Sequence, residues 1–228
     1  VLHVAAGVAQ QTASASASVD GSPAGEMTDI AFRAASPYAE IQPGAAEATV
    51  SVQVQVGSAT ASLDAPVRAG VPATLLVLSN PQTPAELLVT ATEDDATAVM
   101  GQIRGRFVNA LLGTEAIDFC LPGEGRQPGR PIFTGVQYGQ VAGTDTANHY
   151  IPVSVNAGLR LQVRQAAQNG CSGRVIGTAE IPPPDGSVPH NFTLVVVGRA
   201  SGRPAVAREL LVCEDAPNPS GCVALPLR

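Results

Sequence analysis

One order of strand and turn signals runs through this chain twice, and that repetition constrains its fold more than any other feature. Residues 104–121, RGRFVNALLGTEAIDFCL, read as an apolar strand (105–110), a polar turn at Gly113, Thr114 and Glu115, and a second strand (116–121). Residues 1–21, VLHVAAGVAQQTASASASVDG, show the same succession of apolar strand, polar loop and alternating strand. Downstream, TDIAF (28–32) is matched by TGVQY (134–138), and the turn QPG (42–44) by NAG (156–158). PYA (37–39) is matched by HYI (149–151), after an insertion of about six residues at 143–148. Two copies with matching turns predict one duplicated β unit, 1–98 and then 99–228.

Within each copy the period is two. Residues 49–56, TVSVQVQV, alternate strictly and place Val50, Val52, Val54 and Val56 on one face, the pattern of a half-buried strand. Residues 59–63 alternate more weakly, PVRAGVP (66–72) reads as a turn, and ATLLVL (73–78) suits a strand central to a core. A last strand at 86–92 precedes the acidic linker Glu93, Asp94 and Asp95. In the second copy Leu159, Leu161 and Val163 face inward, with Arg160, Gln162 and Arg164 outward. A long turn (182–189), a central strand FTLVVV (192–197) and a late strand (207–212) follow, then Glu214 and Asp215. The periodicity predicts an all-β chain of two tandem antiparallel β-sandwiches, about seven strands each. Closed barrels are the alternative.

Charge is divided unevenly. Residues 1–101 hold two arginines against ten carboxylates, and residues 102–228 hold eleven against nine, so the halves stand at −8 and +2. Neither half is basic enough to favour nucleic acid or an anionic membrane as partner. Head-to-tail association of an acidic and a mildly basic unit competes with two independently drifting solvated surfaces. The absence of lysine reads as codon bias before function. No run of about 18 apolar residues is present, so no membrane-spanning helix is expected. The start at Val1, with neither Met nor a basic-then-apolar segment, reads as a mature or trimmed product.

The four cysteines, Cys120, Cys171, Cys213 and Cys222, all lie in the second copy and fit no zinc spacing. An even count in a loop-rich β chain predicts disulfides and an oxidising compartment, against buried free thiols in a reducing one. Of three possible pairings, Cys213–Cys222 would close the turn-rich EDAPNPSG, and Cys120–Cys171 would tie an early strand to a later hairpin. The last segment, CVALPLR (222–228), follows an acidic linker as residues 102–108 do. It reads as the first strand of a further repeat, or as an assembly strand. In the second reading Val223, Ala224, Leu225 and Leu227 add to an open sheet edge in the same molecule or a neighbour.

Catalytic signals are lacking. His3, His149 and His190 have no metal-like partners and read as structural or solvated, and no nucleophile elbow, phosphate loop or zinc-protease helix motif occurs. No metal or cofactor is expected. Glu93, Asp94, Asp95, Glu214 and Asp215 could hold Ca²⁺ at a junction, but lack loop spacing and read as solvated linker charges. Asn191, Phe192 and Thr193 form a glycosylation sequon at the start of a core strand, a poor place for a glycan. Tyr38, Tyr138 and Tyr150 with Phe32 could stack on sugar, yet their matching positions in the two copies favour core or corner roles.

GRFVNA, AIDFCL, TGVQYG with HYIPV, the NAG turn, LRLQVR, GCSG and FTLVVVG resemble the bacterial domain of unknown function 4397 (DUF4397) family. VDG, DIAF, SPYAEI, PG and TVSVQV in the first copy are similar to it too. The resemblance covers nearly the whole chain as two tandem copies, with His3 set against Arg106. It implies exported, immunoglobulin-like domains of bacterial envelopes or secreted proteins, and supplies no catalytic residues. The expected function is therefore a non-enzymatic structural or interaction protein, extracellular, cell-surface or periplasmic. Its expected partners are itself or other envelope proteins. The alternative is a surface module binding carbohydrate or protein through sandwich-end loops. A hydrolase would need Ser or Asp hydrogen-bonded to His149 or His190 in a cleft.

Overall fold

A computed structural model describes residues 1–42, 45–94, 103–123, 129–142, 150–152, 158–182, 190–202, 205–215 and 221–228. Apart from one 3₁₀ turn at Ala6–Val8, the regular structure among them is strand. The chain divides into two compact units, built mainly from Val1–Ala96 and from Thr97–Asp215 with Val223–Arg228.

The first unit comprises β1 (Leu2–His3), β2 (Ala13–Val19), β3 (Ser22–Ile30), β4 (Glu47–Val56), β5 (Ala59–Arg68), β6 (Ala73–Ser79) and β7 (Leu87–Glu93). They form two sheets, ordered β3-β2-β4-β5 and β1-β6-β7. The valines of β4 supply the inner face: Val50, Val52, Val54 and Val56 are buried while the residues between them are exposed. Opposite lie Ala13, Ala15 and Ala17 of β2, and Val77 and Val89 from the other sheet close the core. This is the sandwich that period-two patterning demands, with an apolar inner and a polar outer face. β5 runs through Pro66 to Arg68, where the sequence suggested a turn. It lies at the end of its sheet, where a missing N–H can face away from the ladder.

The second unit repeats the plan with β8 (Ile103–Leu112), β9 (Ala116–Leu121), β10 (Arg130–Gln137), β13 (Leu159–Gln165), β14 (Val175–Ile181), β15 (His190–Arg199) and β16 (Glu209–Glu214). Short β11 (Val141–Ala142) and β12 (Ile151–Pro152) flank β8, and β17 (Cys222–Pro226) follows β16. Its sheets are ordered β10-β9-β13-β14 and β11-β8-β15-β16-β17, with β12 also on β8. Periodicity had not singled out β14. Phe107, Phe119 and Phe133 cluster in the core, with Phe107 centred 5.1 Å from Phe119 and 5.6 Å from Phe133. Among the strand pairs of stated register, pairing is antiparallel except at one equivalent place in each unit, where β1 runs parallel to β6 and β8 parallel to β15.

Register fixes the internal alignment and corrects it at one position. His3 pairs with Val77, and Asn109 pairs with Val196 at the matching point of the second unit. The His3 carbonyl accepts the Arg33 N–H and the Asn109 carbonyl that of Gly139, each at 2.7 Å. Both donors have positive φ, 71° and 76°. Each side chain also accepts the N–H two residues on, Ala5 onto His3 Nδ1 and Leu111 onto Asn109 Oδ1. His3 therefore corresponds to Asn109, not to Arg106. Matching by residue character misplaced it by three positions, because a basic side chain resembles another more than it resembles an amide.

Candidate functional sites: two buried aspartate latches and a closing strand

The residues with most chemical potential gather where β15 begins and β16 ends. Thr193 of β15 donates from Oγ1 to the Asp215 carboxylate at 2.8 and 2.9 Å. Tyr150 donates its hydroxyl to Asp215 Oδ2 at 2.7 Å. Arg106, wholly buried on β8, donates from Nε to Thr193 Oγ1 at 2.6 Å and places Nη2 3.6 Å from Asp215 Oδ1. Its guanidinium carbon lies 5.0 Å from the centre of the Tyr150 ring, with Arg104 at 5.7 Å. The Asp215 N–H donates to the Asn191 carbonyl at 2.8 Å, which fixes the backbone beneath the carboxylate. A buried carboxylate is tolerable only with such a set of partners.

The first unit builds the same Tyr–Thr–Asp contacts. Tyr38 and Thr74 both donate to Asp94 Oδ2, and the Asp94 N–H donates to Pro72 O at 2.8 Å. Asp94 is 4 % exposed, so this acidic residue is a buried anchor rather than the solvated linker charge that sequence suggested. Asp215 corrects the same expectation in the second unit. Glu93 turns outward to pair with Arg68, and that hydrogen bond holds its carboxyl below the usual range. Asp95 lies outside the described residues. In the same unit, buried His3 has its Nε2 3.1 Å from Gln11 O, and Nδ1 accepts from Ala5. One nitrogen donates and the other accepts, so the ring is neutral; burial lowers its pKa from 6.5. Its ring packs T-shaped with that of Phe32, centroids 5.7 Å apart.

The sulfur pairing follows a second buried acid. Asp118, on the face of β9 away from the core, is fully buried and accepts N–H bonds from Gly135 at 2.8 Å and Cys171 at 3.0 Å. Those contacts hold Cys171, at φ 46°, beside Cys120, and the two form a disulfide. Cys213 and Cys222 are also disulfide-bonded, which leaves them each other as partners, and no cysteine is free. Two disulfides fit an oxidising environment.

Val223, Ala224 and Leu225 lie in β17 and Leu227 just after it, and the segment crosses the open side of the second sandwich. Val223 is 61 % exposed, whereas Leu227 is 8 % exposed and lies in the core, with Leu225 packed against it. The Leu227 N–H donates to Arg208 O at 3.1 Å, and Arg228 exchanges two backbone bonds with Thr178 of β14, at 2.8 and 3.1 Å. The strand thus joins the edge of one sheet to the edge of the other. The first unit closes the same side directly: β5 packs on β7, and the Arg68–Glu93 pair spans them. Leu63 fills part of that space in the first unit, and at the matching β14 position stands Ala179.

The other sequence candidates separate. Tyr150 is 5 % exposed and Tyr138 half-buried, so they offer no open stacking platform. Asn191 is buried, which disfavours a glycan there. His149, the 143–148 insertion and most of the 182–189 turn lie outside the described residues, as does the His190 side chain. No group of three or more potential metal-ligating side chains occurs among the described residues, and none of their helices is long and apolar enough to cross a membrane. The latches escaped the sequence reading because each Asp sits in an acidic cluster and its Tyr is 56 or 65 residues away. Their repetition in both copies was the available signal. Neither a known family model nor a curated protein sequence matches the chain.

Proposed function

We propose that this is an exported, non-enzymatic structural or interaction protein of the bacterial cell envelope or extracellular space, self-associating through its terminal strand. The observation that carries this reading is where the reactive groups are committed. Asp94, Asp118 and Asp215 bind internal donors, and the cysteines are paired. Rigid latches and cross-links suit a load-bearing or display body better than a reaction centre. The DUF4397-like motifs point the same way.

Fractionation of the native host, with thiol alkylation before denaturation, tests export. The chain is expected outside the cytoplasm with all four cysteines unreactive. Cytoplasmic recovery with reactive thiols would contradict the proposal. Light scattering of the full chain and of one lacking 222–228 tests self-association, with circular dichroism confirming the fold. A second reading, a carbohydrate-binding module, draws on an open depression lined by Thr12, Ser14, Thr28, Asp29 and Gln55. Glycan binding abolished by Asp29→Ala would favour it.

A further inference from the structure

We propose that the slot between β14 and β16 is a strand receptor that accepts the 222–228 segment of a second copy, and that the Cys213–Cys222 bond captures whichever copy fills it first. This rests on the self-association reading and specifies its mechanism. The receptor is built for a main chain. A Cβ at Gly177 would come within 2.7 Å of Leu227 Cβ and 3.1 Å of the Leu227 carbonyl carbon, so glycine here makes room for another backbone. The matching position of the first unit, where no such strand occurs among the described residues, is Ala61. Anchors at both edges give register: Leu227 to Arg208 on one side, and Arg228 to Thr178 on the other. Leu225 and Leu227 supply the buried side chains.

These contacts are all made by one short segment that follows β16 in the chain. Nothing in the slot distinguishes the chain's own segment from an identical one on another molecule, the situation in which strands exchange. Cys222 opens the segment and Cys213 lies on β16, so the bond forms wherever the strand docks. In cis it locks a monomer; in trans it links two chains covalently. Two thiols and one oxidised glutathione give one protein disulfide and two reduced glutathiones, the glutathione taking up both electrons and both protons. Cys120 and Cys171 both lie within one body, pinned by Asp118, and exchange leaves that bond intramolecular.

The test uses the full wild-type chain, unlabelled and ¹⁵N-labelled in equal amounts. The two are co-refolded in a glutathione couple from about 1 μM to about 1 mM, with oligomers sized by light scattering and disulfides mapped by mass spectrometry. In oligomers, about half of the Cys213–Cys222 peptides are expected to join a labelled to an unlabelled strand, while Cys120–Cys171 peptides stay uniform. Oligomers in which Cys213–Cys222 is uniform would overturn the exchange and leave self-association by another surface. Monomer alone at every concentration would overturn both. Mixed labelling equal at both disulfides would overturn it as random thiol chemistry.

Discussion

Asp215 shows how a single residue sets the character of a whole sandwich end. Removing it takes the carboxylate from beside the buried Arg106 guanidinium and from Thr193 and Tyr150, so Asp215→Ala is expected to cost about 3–5 kcal/mol in denaturant unfolding of the second unit. Tyr150→Phe removes one hydrogen bond to a charged group and should cost less, about 1.5–3 kcal/mol. Equal losses in the two variants would contradict the arrangement. His3 supplies a pH dependence. Its folded pKa lies below 6.5, so the unfolded chain takes up the proton first. Its contribution is complete above about pH 6.5 and is lost as pH falls from there through the folded value. His3→Asn, the residue used at the matching position of the second unit, should flatten that acid slope in stability measured from pH 8 to 5. An unchanged slope would assign it to other groups. None of these roles was visible from spacing, because a lone Asp or His carries no mark of the distant donor that will bury it.

Individual strands were the legible part of the sequence. β4 announces itself because its four valines alternate with polar residues, and the burial follows that alternation. β9 does not follow it: Ile117, Asp118, Phe119 and Cys120 are all buried, because the disulfide-held loop covers the face that alternation assigns to solvent. Asp118 is the hinge of that exception. Asp118→Asn puts an amide donor against one of two N–H groups and should cost about 1–3 kcal/mol. Opening the disulfide with Cys120→Ser and Cys171→Ser should cost about 2–4 kcal/mol. Since both act on one loop, the combined variant is expected to lose less than the sum, readable by a double-mutant cycle. Strict additivity would show that Asp118 does not position the loop. Pro66 taught the reverse lesson, since proline marked a turn in the sequence but an edge strand tolerates it.

For the molecule as a whole, the twofold plan read from turn order reappears as two bodies whose shared strands follow matching orders, each with one parallel pair and a Tyr–Thr–Asp latch. What pattern could not supply was the difference between them, namely a strand laid beside β14 in the second unit, where the first sets β5 against β7. Cys120 and Cys171 both lie in the second body, so opening that bond with Cys120→Ser and Cys171→Ser should lower the thermal midpoint of its unfolding and leave that of the first unchanged, as followed by calorimetry. A shift of both together would deny the two bodies separate cores. The duplication itself is tested most directly by amide hydrogen exchange on Tyr38→Phe and Tyr150→Phe. The first variant should speed exchange in β6 and β7 alone, the second in β15 and β16 alone, each by roughly 10- to 150-fold, as a lost bond of about 1.5–3 kcal/mol gives. Faster exchange confined to one variant, or spread through both bodies by either, would contradict two equivalent latches.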